Sequence, residues 1–273
     1  MPVLAARILR IAVVLTAVYL VFMLAVYVFQ NRLLYRPAKT GKEESLQRAR
    51  GLSLVPLRSD RDELYGYLYD PLDDPRGTVV VFHGNAGSAL DRFYYGAPVA
   101  KHNFRVVLAE YPGYGLRAGT PEESTLVADA RLCVERVVEQ FPGRLILWGE
   151  SLGCAVVTAL VRDMPATVSA AVLVTPWESL PEVAADAYPF LPARLLCRES
   201  YNNVENLADV TIPIVVVAAG RDEVVGAEAG RRVFESYRGR KHLIVLDNAG
   251  HNTWPVSPRA SWWSEVFEFV VQE

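Results

Sequence analysis

Leu145-Ile-Leu-Trp148 runs directly into Gly149-Glu150-Ser151-Leu152-Gly153, and the residues that follow, Cys154 to Val161, are apolar except for Thr158. A short unbroken run of Leu and Ile reads as a strand buried on both faces, and the longer apolar stretch after it reads as a helix. A serine between glycines at such a strand-to-helix turn has a definite physical meaning. The turn is tight, so small residues must flank the serine, and its hydroxyl is presented above the sheet edge. The helix N-terminus behind it supplies backbone N–H groups and partial positive charge where a carbonyl oxygen would become negative. Ser151 is therefore the candidate nucleophile, and the Leu152 N–H a candidate oxyanion donor.

Working outward, five more runs have the same near-continuous apolar character: Thr78–Phe82, Arg105–Ala109, Ala171–Val174, Pro213–Val217 and Leu243–Leu246. Gly51–Ser59 and Glu63–Asp70 read as an opening antiparallel pair turning at Asp60-Arg-Asp62. Helical patterns lie between the strands. Thr120-Pro-Glu-Glu123 predicts an N-cap, a first-turn proline and a capping-box glutamate, opening a helix with Leu126, Ala130, Val134, Val137 and Val138 on one face. Trp262, Trp263, Val266, Phe269 and Val270 repeat that spacing at the C-terminus. The alternation predicts an α/β fold, with a mostly parallel sheet of about eight strands flanked by helices. A polar linker is expected over about 37–50. Residues 176–208 form a connection too long for a simple loop and are expected to make a small cap.

A serine hydroxyl needs a base, and the base needs a third group to hold it. In hydrolases built on such an elbow the chain order is serine, acid, histidine. Of His83, His102, His242 and His251 only the last two follow Ser151. His242 opens a strand at the end away from the site. His251, in Asn248-Ala-Gly-His251, lies just past that strand's C-terminal end, where parallel-sheet sites are built. Asp222 follows the preceding strand in the same manner, with Glu223 and Asp247 as its rivals. His83-Gly-Asn-Ala-Gly87 follows the strand Thr78–Phe82, and the Asn85 N–H is the second candidate oxyanion donor. His83 itself is read as a structural histidine bonded to nearby backbone.

The N-terminus is of a different kind. Ile11 to Phe29 holds 19 residues without a charge, about 28 Å of helix against the ~30 Å hydrocarbon core of a bilayer. That run exceeds the apolar region of a secretory signal, and Ala25-Val-Tyr-Val-Phe-Gln30 lacks a small-residue cleavage site. A retained anchor is expected, with residues 1–36 as anchor and flanks and 37–273 as one catalytic domain that does not depend on it. Arg32, Arg36, Lys39 and Lys42 outnumber Arg7 and Arg10, which leans toward a cytoplasmic domain. The 273-residue chain has 28 basic and 31 acidic side chains, a net charge of −3. With no clustered basic charge there is no footprint for nucleic acid. Three scattered cysteines exclude a disulfide scaffold or a zinc module.

Taken in order, HGNAG at 83–87, YPGYG at 111–115, GESLG at 149–153, GRDEVV at 220–225 and AGH at 249–251 resemble the α/β-hydrolase superfamily. With the anchor and Leu33-Leu-Tyr-Arg-Pro37, the chain looks most like membrane-anchored abhydrolase-domain serine hydrolases. The likeness covers about 30–273. It departs where relatives often have His-Gly before the acid and Val-Pro after it; here Ala219-Gly220 and Val225-Gly226 stand instead. The resemblance implies Ser151, Asp222 and His251 as a triad, and Asn85 and Leu152 as oxyanion donors. The motifs carry over no substrate class; the expected function is a membrane-tethered serine hydrolase acting on carboxylic esters or thioesters of lipid or acyl-protein type, with no metal or organic cofactor needed. Its partners would be a membrane-borne acyl substrate and the bilayer itself, with no nucleic acid and the oligomeric state open. The alternatives are a peptidase or amidase of the same fold and a non-catalytic binding protein.

Overall fold

A computed structural model describes residues 2–71 and 73–272. Eight strands build one sheet: β1 Val55–Arg58, β2 Leu64–Tyr69, β3 Gly77–Phe82, β4 Arg105–Ala109, β5 Arg144–Glu150, β6 Ala170–Val174, β7 Ile214–Ala219 and β8 Lys241–Leu246. Their spatial order is β1-β2-β4-β3-β5-β6-β7-β8. β3 to β8 are mutually parallel, and β2 runs against both β1 and β4. The apolar runs are the strands because both faces are covered: β3, β6 and β7 are buried at every position. One face packs on helices α4 Glu123–Gln140, α5 Leu152–Asp163 and α9 Ala229–Ser236. The other takes α3 Gly96–Ala100 and α10 Ser261–Val271, whose Trp262 and Trp263 surround Trp148 of β5. This is the expected three-layer α/β-hydrolase architecture.

Several local expectations change. The 37–50 linker contains helix α2, Lys42–Gly51, and Arg36–Pro37 pairs as a short parallel strand with Ala86–Gly87. Its charged sequence concealed it, because only Ser45 and Ala49 are buried. α4 begins at Glu123 with Glu122 as N-cap, so Thr120 is no cap. The reason is tertiary. The Glu199 carboxylate accepts the Glu123 N–H at 2.8 Å, while the Glu123 carboxylate accepts from the Ser200 and Tyr201 N–H groups at 2.6 and 2.9 Å. An acid from the cap segment thus sits on the helix N-terminus, where negative charge is favoured. Cys133, rather than the half-exposed Val138, completes the buried face of α4, and Phe267 replaces Phe269 on α10.

The N-terminal helix α1, Pro2–Leu34, outruns its 11–29 apolar stretch and is long and apolar enough to cross a membrane. The cap segment holds α6 Leu180–Ala187, α7 Ala193–Leu196 and α8 Asn203–Asn206. α1 is not a free tether. Residues 3–22 of it are exposed, whereas Met23, Val26, Gln30 and Leu34, at helical spacing, are partly covered. Gln30 donates to the Leu196 carbonyl and accepts the Arg198 N–H, and Arg198 also reaches Asn31.

At the elbow, α5 approaches the sheet more closely than a side chain permits. A Cβ on Gly153 would overlap the Phe82 carbonyl oxygen, and one on Gly149 would lie 2.6 Å from the Cys154 Cα. Gly153→Ala should therefore force β3 and α5 apart and cost about 1–3 kcal/mol as an overpacked contact. The check is a denaturant titration of the variant beside wild type.

Candidate active site

Ser151 sits at φ 49° and ψ −111°, the left-handed region rarely used by a residue with a Cβ. Its N–H donates to the Val174 carbonyl at 2.9 Å and its carbonyl accepts the Cys154 N–H at 2.9 Å, so the strained turn is held on both sides. The hydroxyl lies 2.9 Å from Nε2 of His251, and Nδ1 of His251 lies 2.8 Å from Oδ2 of Asp222. Asp222 and His251 are buried, while Ser151 retains partial access. Nothing in spacing alone brings residues 151, 222 and 251 together; parallel strands that all end at one edge do.

The acid is held low. Burial alone would raise the Asp222 carboxyl. The His251 hydrogen bond and the Val225 and Val224 N–H groups on Oδ1, at 2.9 and 3.0 Å, outweigh it and place the carboxyl below its usual range. Both rivals have other positions. Glu223 accepts the His251 backbone N–H at 3.1 Å, and Asp247 is exposed on the turn beyond β8. That turn is bound to the acid's own: Gly220 N–H donates to the Leu246 carbonyl and Arg221 N–H to the Ala249 carbonyl, each at 2.9 Å. His242 lies away from the site, bonded to Glu265 at 2.7 Å.

Gly84 places the 83–87 loop beside Ser151, where its missing Cβ would stand 3.7 Å from the Ser151 Cβ. His83 is structural: Nδ1 bonds the Gly84 carbonyl at 2.7 Å and Nε2 faces Glu110 at 3.3 Å. The rest of the loop is fixed by its carbonyls. Tyr111 donates to that of His83 and Tyr114 to that of Asn85, at 3.0 and 2.7 Å. These are the two tyrosines of the YPGYG stretch. The Asn85 side chain donates to the Leu34 carbonyl at 2.8 Å, and Arg36 N–H donates to the Asn85 carbonyl at 2.8 Å. Among the described residues, the N–H groups of Asn85 and Leu152 have no protein acceptor.

One group escaped the sequence reading. The buried Glu150 carboxylate, next to Ser151 in the chain, accepts from Arg92 Nε at 2.9 Å and from the Tyr94 hydroxyl at 2.5 Å. Arg92 Nη1 also reaches the Ala86 carbonyl at 3.2 Å. The guanidinium thus ties the elbow to the 83–87 loop. The signal available was Glu150 itself, an acid between an apolar strand and an apolar helix, whose partner no spacing rule could name.

A family model described as serine aminopeptidase, S33, matches residues 73–197. An uncharacterised protein of Mycobacterium tuberculosis is 35% identical over 228 residues, covering 82% of this chain and 80% of that one. The human alpha/beta hydrolase domain-containing protein 17B is 27% identical over 203 residues, covering 72% and 67%. Among solved structures, an esterase of Pyrococcus furiosus superposes with a TM-score of 0.65 at 19% identity, covering 87% of this chain and 97% of that one, a likeness of fold. The chain belongs to the α/β-hydrolase superfamily. Its class is that of a hydrolase.

Two outcomes follow from the geometry. Arg92→Met leaves the Glu150 carboxylate buried without its cation, which should cost about 3 kcal/mol. Adding Glu150→Gln should recover part of it in a denaturation-based double-mutant cycle. The depressed Asp222 carboxyl contributes stability that is complete above its unfolded-state value of about 3.9. It is lost as pH falls through the lower folded-state value. The melting advantage of wild type over Asp222→Asn, measured in detergent micelles, should therefore be full at pH 6 and shrink toward pH 2.

Proposed function

We propose that the protein is a membrane-tethered serine hydrolase, its catalytic domain on the cytoplasmic side, cleaving carboxylic esters or thioesters through an acyl-enzyme. The observation that carries this reading is the continuous chain Ser151 Oγ, His251 Nε2, His251 Nδ1, Asp222 at 2.9 and 2.8 Å. Ser151 attacks the acyl carbonyl as His251 takes its proton, forming the Ser151–acyl bond. The carbonyl oxygen, now negative, accepts from the Leu152 and Asn85 N–H groups. The bond to the leaving alcohol or thiol then breaks, and His251 returns the proton to it. Water repeats the sequence, restoring the Ser151 hydroxyl and releasing the carboxylic acid. Asp222 keeps the imidazole in the tautomer that presents Nε2 as base and stabilises the imidazolium.

A peptidase reading is favoured by the description of the matching family model. Recognition of a free peptide N-terminus would call for an unengaged carboxylate near the site. In the cavity beside Asn85 the carboxylate is Glu199, which is committed to the Glu123 N–H and whose carboxyl is pushed up by burial. The remaining lining is largely apolar, which supports an acyl substrate.

A fluorophosphonate probe should label the full-length protein at one site, and Ser151→Ala should abolish the label. Asp222→Asn should remain folded while kcat for a soluble phenyl ester falls about 10⁴-fold, as in the serine-protease case. Glu223→Gln and Asp247→Asn serve as controls. Labelling of Ser151→Ala, or a larger loss in either control than in Asp222→Asn, would overturn the assignment. A panel of esters and amides of one acyl group separates esterase from amidase.

A further inference from the structure

Between the last turns of α1 and the cap helices α6 and α7 lies a cavity of about 280 Å³. Its walls are chiefly apolar, with Val26 and Leu33 from α1 facing Leu180, Val183 and Leu191 from the cap. Asn85 and Val224 belong to the same lining. The first carries a proposed oxyanion donor and the second gives its N–H to Asp222, so the cavity adjoins the reacting centre. One wall of it, at Val26, lies inside the charge-free run that predicts membrane insertion.

The cap follows α1 further down. The Tyr19 hydroxyl donates to the Phe190 carbonyl at 2.7 Å, and the Phe22 and Phe190 rings stack with centroids 6.5 Å apart. From Phe29, where the apolar run ends, back to Tyr19 is about 15 Å of helix, half the ~30 Å hydrocarbon thickness. With that run spanning a bilayer along its normal, the cap tip would stand level with the bilayer's middle. Phe190 and Leu195 are 60% and 85% exposed there, while Tyr188 and Asp186 beside them are exposed too, Asp186 within the field of Arg194. Arg194, the base at the tip, is joined to Glu182 by two hydrogen bonds of 2.7 and 2.6 Å. A tyrosine hydroxyl in hydrocarbon requires an internal partner, and Tyr19 has one in the cap.

We propose that the cap tip is inserted in the bilayer beside α1, and that the cavity between them takes the long acyl chain of a bilayer-borne ester or thioester entering sideways from the lipid. The proposal rests on Ser151 as the acylated nucleophile. α1 is then a wall of the acyl site, not only a tether. Referred to substrate dissolved in water, each methylene accommodated should raise kcat/KM by about fourfold until the cavity is filled.

The test uses the full chain in lipid nanodiscs, with butanoyl and dodecanoyl esters of one phenol below their micellar concentrations. Wild type should prefer the dodecanoyl ester strongly. Val26→Phe, which fills space for about three methylenes, should lower the dodecanoyl-to-butanoyl ratio of kcat/KM by about fiftyfold. Val14→Phe, on the lipid-exposed part of the same helix, should not change it. A wild-type ratio near one, or a ratio insensitive to Val26→Phe, overturns the acyl site. Binding of a dodecanoyl anilide to Ser151→Ala, measured by calorimetry, is independent of turnover. Such binding, abolished by adding Val26→Phe, together with a wild-type protein that hydrolyses neither ester, would uphold the cavity and reject Ser151 as nucleophile. Depth is read from Phe190→Trp: emission beyond that of wild type should be quenched by lipids brominated at mid-chain. Absence of that quenching overturns insertion of the tip.

Discussion

The pressure of α5 against β3 governs the site. Gly153 leaves no room for a Cβ before the Phe82 carbonyl, and the strand continues from Phe82 into the 83–87 loop. Closing that gap places the N-terminus of α5, with its unpaired N–H groups, beside the loop that carries the second one. It also forces Ser151 into the left-handed region, a strain of about 1–3 kcal/mol that must be over-determined by its surroundings. The surroundings are adequate: α5 is buried from Leu152 to Val161, between the sheet, α4 and the cap. The packing of an apolar helix thus holds a polar side chain in a conformation that it would leave if free.

Around this strained turn lies a buried polar framework that keeps two separate stretches of chain in register. Arg92 joins Glu150 to the Ala86 carbonyl, and Glu110 accepts the Ala89 N–H while facing His83. Buried ion pairs of this kind contribute little net stability, because desolvation offsets much of the attraction, yet breaking one is expensive. Their effect here is geometric. With its carbonyls pinned by Tyr111, Tyr114 and Arg92, the 83–87 loop holds the Asn85 N–H with no acceptor among the described residues, so the proposed oxyanion donor would need no reorganisation.

What was legible in the sequence was local or repeated along one strand. The elbow could be read because its glycines, strand and helix are contiguous. Asp222 and His251 could be read because a parallel sheet sends every strand end to the same edge. Helix α2 is hidden, since a surface helix with half of its residues charged carries no strong apolar stripe. The start of α4 was misplaced because the cap segment supplied Glu199 to its N-terminus from 76 residues away, displacing the Thr120 cap. Arg92 was invisible for the same reason: its partner lies 58 residues on. These are contacts between segments, and periodicity carries no record of them.

The same distinction bears on the anchor. From sequence, residues 1–36 and 37–273 read as a tether and an enzyme, because a charge-free run and a globular pattern follow one another. In the structure the join is continuous with the site. Leu34 accepts from the Asn85 side chain, Arg36 donates to the Asn85 carbonyl, and the Tyr35 hydroxyl meets that of Tyr201 at 2.8 Å in the core. A flexible linker would transmit neither the tilt nor the depth of the helix to the domain. Three fixed contacts within three residues transmit both. Any orientation α1 takes in a bilayer is therefore also the orientation of the 83–87 loop and of the cap that α1 touches from Tyr19 onward. For the proposed membrane-inserted protein, insertion and the presentation of the Ser151 edge are then one geometric variable.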